Sequence, residues 1–230
     1  MQKKIVALGV SAALALAASG AYAGDAGPNE IRVGMYFVHF DTTASDISGP
    51  YTPPGLGIHV NNVETLYLAY TRSLSDHLVA ELAFGYPPLT KTEGRGPAAL
   101  GSVPYNGQTI STARWFSPSL LFDYVFGDPD ARLRPYVGLG VNYTKFFDRR
   151  STAAGDAASG GPTSIELPVS VGPTATAGLT YEITDRWHLY ASYSVAQVNT
   201  RLTADTAGIL RTSKVHFWPN ALVISAGYSF

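Results

Sequence analysis

His188, Ser192 and Glu182 are the residues whose types and spacing come nearest to covalent chemistry. A serine, an imidazole and a carboxylate can act as nucleophile, base and orienter, the imidazole taking the hydroxyl proton while the acid holds the ring. His188 and Ser192 share one face of an alternating segment, and Glu182 lies on the like face of the segment before it. Barrels that modify lipid A carry such groups, but theirs must reach the lipid side or a lateral cleft. His188 stands instead beside the short turn Thr184–Arg186, at the rim away from the long loops. Interior hydrogen bonding is the expected role, and no catalytic residue is assigned. His39, His59, His77 and His216 are scattered, whereas a metal site needs several ligands at fixed spacing. No metal and no cofactor is expected. The chain has no Cys, which removes disulfides, thiolate zinc sites, iron–sulfur clusters and cysteine nucleophiles. Gly138-x-Gly140 does not continue into a dinucleotide fingerprint, and the Asn142-Tyr143-Thr144 triplet lies mid-strand.

The elements that hold these residues repeat every second position, the mark of a strand with two unlike faces. In the last segment Leu222, Ile224, Ala226, Tyr228 and Phe230 oppose Val223, Ser225, Gly227 and Ser229. Similar splits run through 66–71, 77–85, 117–126, 135–145, 174–183 and 187–195, and more weakly through 31–40, where both faces carry bulky groups. That makes eight strands. Their connections alternate strictly. Short turns occur at 73–76, 127–130 and 184–186. Long Gly-, Pro-, Ala- and Ser-rich loops occur at 41–57, 91–110, 148–165 and 203–212. An all-β, eight-stranded antiparallel up-and-down transmembrane β-barrel follows, with short turns toward the periplasm and long loops outside. In lipid no strand edge can stay unpaired, so the sheet must close. A soluble sandwich would show Lys and Glu on its wet face, and these strands have almost none. Aromatics gather near strand ends instead, as at Phe122, Tyr124, Phe126, Trp187, Tyr228 and Phe230.

Composition agrees. Charged residues make up 14% of the 230, against roughly 25% in an ordinary soluble domain. A formal charge of −1 gives no basic stripe for nucleic acid. Lys3 and Lys4, the apolar run Ile5–Ala18 and the small-x-small site Ala21-Tyr22-Ala23 read as an export signal, 1–23, cleaved to leave a 24–230 outer-membrane barrel.

An eight-stranded barrel leaves an interior only wide enough for side chains or one small ligand. The inward face would carry Tyr67, Val79, Leu121, Val125, Tyr136 and Tyr190 as lumen-lining, solute-contacting groups. Glu81, Asp123, Glu182 and His188 would supply interior polarity, with Arg72, Arg114, Arg132, Arg134 or Arg201 nearby. Buried charges must be paired or hydrated, so an interior salt-bridge network is favoured over a selective constriction. Inward Gly138 and Gly140 would make room for Tyr or other large groups from the next strand. Pro87-Pro88 breaks the ladder by removing amide donors, which could open the wall toward lipid as a sideways exit.

Arg134-Pro135-Tyr136-Val137-Gly138-Leu139-Gly140-Val141-Asn142-Tyr143-Thr144 with Phe146-Phe147-Asp148, Tyr124-Val125-Phe126-Gly127-Asp128, Val79-Ala80-Glu81-Leu82 and Ser225-Ala226-Gly227-Tyr228-Ser229-Phe230 together resemble the outer membrane protein W family of Gram-negative bacteria. Their order runs through nearly all of the mature chain. The resemblance implies a monomeric barrel with a narrow, apolar lumen, and a passive route for small hydrophobic molecules. In some members it also implies reception of bacteriocins or phage. Tyr228 and Phe230 look like the signal read by the barrel-assembly machinery. The expected partners are outer-membrane lipid and lipopolysaccharide, that machinery and small hydrophobic solutes. The competing expectation is a non-transporting surface protein that displays its loops for adhesion or reception.

Overall fold

The computed structural model describes residues 27–96, 99–100 and 103–230; the export segment 1–23 lies outside the described residues. In chain order the elements are β1 (Asn29–Ala44), β2 (Gly57–Val60), β3 (Val63–Ser73), β4 (Leu78–Gly85), β5 (Leu89–Arg95), the small hairpin β6 (Ala99–Leu100) and β7 (Val103–Pro104), β8 (Thr109–Phe116), β9 (Ser119–Val125), β10 (Leu133–Ser151), α1 (Ala153–Ser159), β11 (Thr163–Glu166), β12 (Ser170–Thr184), β13 (Trp187–Ala196), β14 (Val198–Thr206) and β15 (Ile209–Ser229). Several are two halves of one stave, split by Asn, Pro or Gln: β2 with β3, β4 with β5, β8 with β9, β11 with β12 and β13 with β14. With β1, β10 and β15 whole, they form eight antiparallel staves, and β1 pairs with both β3 and β15 to close the ring. The barrel is the architecture that the alternation predicts.

Closure puts even-numbered residues of β1 inside. Glu30 and Arg32 are buried and Val38 is buried, while Ile31, Val33 and Met35 face out at more than 40% exposure. On β15 the outward row is Tyr228, Ile224, Leu222 and Trp218, all exposed. His216 and Lys214 follow beyond it. The strand between Tyr228 and Trp218 covers about 33 Å at ~3.3 Å per residue. A tilt of ~35–45° reduces that to the ~25 Å height of an outer-membrane apolar band. Trp187 packs edge-on to Tyr228 (centroids 5.0 Å) and Tyr124 to Phe126 (4.9 Å), forming the girdle at the short-turn rim.

Two segments expected to be loops are largely strand. Residues 91–110 contain most of β5 and the start of β8, and 203–212 is the β14–β15 hairpin. The hairpin's two-residue turn, Ala207-Gly208, has φ of 50° and 89°, the left-handed pair that matches strand twist. Thr- and Ser-rich strands above the lipid bury no apolar face against hydrocarbon, so their period lacks contrast. The inward glycines differ from expectation too. A Cβ on Gly138 would strike the Asp123 carboxylate, and one on Gly140 the β9 backbone at Leu120 and Leu121. The room for a tyrosine is at Gly178, opposite Tyr136.

Candidate functional site

The lower third of the interior is closed by an ion cluster. Arg32, inward on β1, donates from Nε to Glu30 Oε1 (2.6 Å) and from Nη1 to Glu81 Oε2 on β4 (2.6 Å). Its guanidinium also lies 3.6 Å from the Tyr190 ring centroid. Tyr67 Oη donates to Glu81 Oε1 (2.8 Å) and Tyr190 Oη to Glu30 Oε2 (2.9 Å). His188 Nδ1 stands 2.8 Å from the same Glu30 oxygen. Each buried carboxylate oxygen of the two glutamates therefore meets a donor, the condition under which buried charge is tolerated. Asp123 is 2% exposed and its Oδ1 has no hydrogen-bond partner. Tyr36 stacks on Tyr67 just above (5.8 Å, 19°) and adds an apolar lid.

This layer separates two cavities with no lining residue in common. Below it a polar cavity of about 150 Å³, bordered by Arg132, Arg134, Glu182 and His188, opens toward the short turns. Above it an apolar cavity of about 80 Å³ is walled by Tyr36, Val38, Ile58, Val60, Trp115, Phe146, Val198 and Val215. A water needs roughly 10–15 Å³ of such space, so the upper cavity can hold several water-sized groups. A mouth of about 70 Å³ lies above it and shares Ile58 and Leu202 with it. There the Tyr105 phenol donates to Gly57 O (3.2 Å), and burial pushes its pKa up to about 12, so it stays neutral.

The wall beside the upper cavity is interrupted. β4 pairs with β9 as far as Ala83 and Ser119, and pairing resumes between β5 and β8 at Leu89 and Arg114. Pro87, Pro88 and Pro118 in the interval bring no amide hydrogen. One side-chain bond still spans the seam, Arg114 Nη1 on β8 donating to Pro87 O (2.8 Å), and the polar groups of Tyr86 turn to β3. Tyr86 N donates to Leu66 O, and Thr65 Oγ1 donates to Tyr86 O. Across the interval Asn142 Nδ2 donates to Ser117 Oγ and Ser119 Oγ (both 2.9 Å). Trp115 and Thr90, joined by an Nε1–H···Oγ1 bond of 2.9 Å, line the inner side. Phe84 and Phe116, at outward positions, meet edge to face at 6.0 Å.

The structure brings Glu81, Asp123 and His188 into or against the cluster and leaves Glu182 on the lower cavity. His188 meets Glu30 and, at 3.5 Å, Ser229 Oγ, so the set drawn with Ser192 is not the arrangement observed. Val79, Val125, Tyr136 and Tyr190 border the lower, polar cavity. Tyr67 and Leu121 are buried but outside the upper lining, so the apolar wall is built by other residues. Tyr228 and Phe230 are on the exposed rim, and Pro87-Pro88 lies at the interruption. Glu30 and Arg32, the centre of the cluster, are not among the residues singled out from the sequence. Their signal was present: they are charged residues alternating with Ile31 and Val33.

The sequence pattern of the OmpW family matches residues 25–230. Outer membrane protein W of Salmonella typhimurium is 31% identical over 222 residues, covering 95% of this chain and 97% of its own. Outer membrane protein W of Vibrio cholerae is 29% identical with both chains fully covered. The dibenzothiophene metabolism operon protein PahQ of Pseudomonas aeruginosa is 29% identical over 126 residues, 54% of each chain. The crystal structure of outer membrane protein OprG from Pseudomonas aeruginosa superimposes with a TM-score of 0.78 over 90% of this chain and 98% of that one, at 23% identity. A family match from residue 25 to residue 230, on a barrel with this fold, makes the chain a member of the OmpW family and an integral protein of the outer membrane.

Proposed function

We propose that this barrel is a passive conduit that takes small hydrophobic molecules in at its outer mouth and releases them sideways into the membrane. The observation that carries the reading is the position of the apolar cavity. It opens upward to the mouth, is closed below by the Glu30–Arg32–Glu81 cluster and lies against the wall interruption at Pro87-Pro88. An apolar solute gains roughly 25 cal/mol per Å² on leaving water for such a lining. Crossing the ion cluster would require breaking paired buried charges. The lower-cost route runs outward between Trp115 and Thr90, past Phe84 and Phe116, with hydrocarbon on the far side. PahQ supports the substrate class, since its name places that relative in the metabolism of an apolar aromatic heterocycle. The measurement is initial uptake of dibenzothiophene or n-octane by cells with and without the protein. Faster, gradient-following uptake is expected with it, and equal rates would end the conduit reading in favour of loop display.

A further inference from the structure

The mouth and the upper cavity together carry one charged lining residue among the described residues, Arg211. It points inward from β15, above Ser213 and Val215. Its Nη1 donates to Ser159 O (3.3 Å) at the end of α1 and to Thr206 Oγ1 (3.4 Å). No ion pair joins it to an acid among the described residues, and Nε and Nη2 have no described acceptor. A half-buried guanidinium among apolar side chains calls for a counter-charge. Its planar fork fits a carboxylate through two parallel N–H bonds. Directly below, Ile58 and Leu202 belong to both spaces, so the apolar path from Arg211 into the upper cavity is continuous. Tyr105, the neighbouring phenol, is neutral and adds no competing anion.

We infer that Arg211 is a headgroup site for amphiphilic carboxylates, which bind with the acid on its guanidinium and the alkyl tail hanging past Ile58 and Leu202 toward Trp115. This rests on the conduit reading and extends its substrate class from neutral hydrocarbons to alkyl carboxylates. Pinning the end of α1 uses one nitrogen, and the geometry leaves the others for a ligand.

The test uses the purified full barrel in zwitterionic micelles, with Trp187→Phe and Trp218→Phe so that Trp115 reports alone. The probes are 12-bromododecanoate, its methyl ester and 1-bromododecane, whose bromine quenches a nearby indole. A charged hydrogen-bonded pair is worth about ten- to hundred-fold in affinity. Arg211→Gln should therefore raise the half-quenching concentration of the carboxylate at least about ten-fold and leave bromododecane unchanged, while Arg211→Lys stays within several-fold of the parent. Folding of each variant is checked by its heat-modifiable gel mobility. The parent itself should bind the carboxylate more tightly than the ester, a comparison that needs no variant. Equal changes for the carboxylate and for bromododecane in Arg211→Gln, or no preference for acid over ester in the parent, overturn the headgroup site while the conduit stands. Failure of every probe to quench Trp115 overturns the conduit and the inference with it.

Discussion

Arg32 is held on three sides, by Glu30, by Glu81 and by the face of Tyr190, with under a tenth of its side chain exposed. Among the described ion pairs only Arg32 joins the two glutamates, since His188 touches Glu30 and not Glu81. Removing the guanidinium leaves two desolvated carboxylates facing each other. Arg32→Met should then destabilise the barrel by about 3–5 kcal/mol, the usual cost of breaking a buried pair. Adding Glu30→Gln and Glu81→Gln should recover most of that loss, because a neutral cluster no longer carries unpaired charge. Urea unfolding in micelles, followed by gel mobility, measures both. If the triple variant is as unstable as Arg32→Met, the cluster's role is steric filling and not charge compensation. Gly138 belongs to the same arrangement, since only a residue without Cβ leaves space for Asp123 on the neighbouring strand.

At the scale of single staves, the β4–β5 interruption makes the sharpest claim. Replacing Pro87 and Pro88 by Val and Thr supplies two amide donors and restores strand geometry. The ladder to β8 and β9 should then close and uptake of n-octane should fall several-fold, with heat-modifiable mobility retained. Phe84→Ala with Phe116→Ala removes the outer ring pair and should keep uptake at or above the parent rate. A fall in both variants would place the exit elsewhere. The same stave shows what was readable beforehand. Pro87-Pro88 marks a break by chemistry alone, and the lipid-facing halves of the strands announce themselves because hydrocarbon on one side and packed polar groups on the other give alternate residues unlike character. β1 was harder, since its inward row changes from Glu30 and Arg32 through Gly34 to Tyr36, Val38 and Phe40 within one strand. That gradient is what divides the interior into a charged floor and an apolar chamber, but it blurs a two-face pattern. The chamber walls at Ile58, Val198, Leu202 and Val215 come from β2, β14 and upper β15, whose outward residues are water-facing. Polarity there falls on both sides of the strand, and tertiary closure alone shows which side is in.

For the whole molecule the decisive physical quantity is depth in the membrane. Leu139 on β10 is 71% exposed and its strand neighbours Val137 and Val141 face out at about half exposure, with Tyr124 below and Tyr143 above. That row should sit across the hydrocarbon midplane. An arginine introduced on the lipid face costs about 2–4 kcal/mol at the midplane and about 0–1 near an interface. Leu139→Arg should therefore lower folding stability in phospholipid vesicles by about 2–4 kcal/mol, whereas Lys214→Arg, above the Trp218 belt, should change it by about 1 kcal/mol or less. Phe126→Arg, at the short-turn girdle, should fall between, because it exchanges an interfacial ring for a cation that can reach headgroups. The order matters more than any one value. A soluble barrel would penalise each outward arginine little and independently of height, so a flat profile would contradict the membrane embedding, whereas a profile peaked at Leu139 fixes where the bilayer meets these staves. The peak also sets the height of the lateral interruption, because Ser119 pairs with Asn142 in the next register step above Val141. If the maximum lies there, a solute leaving past Phe84 and Phe116 enters hydrocarbon and not headgroups.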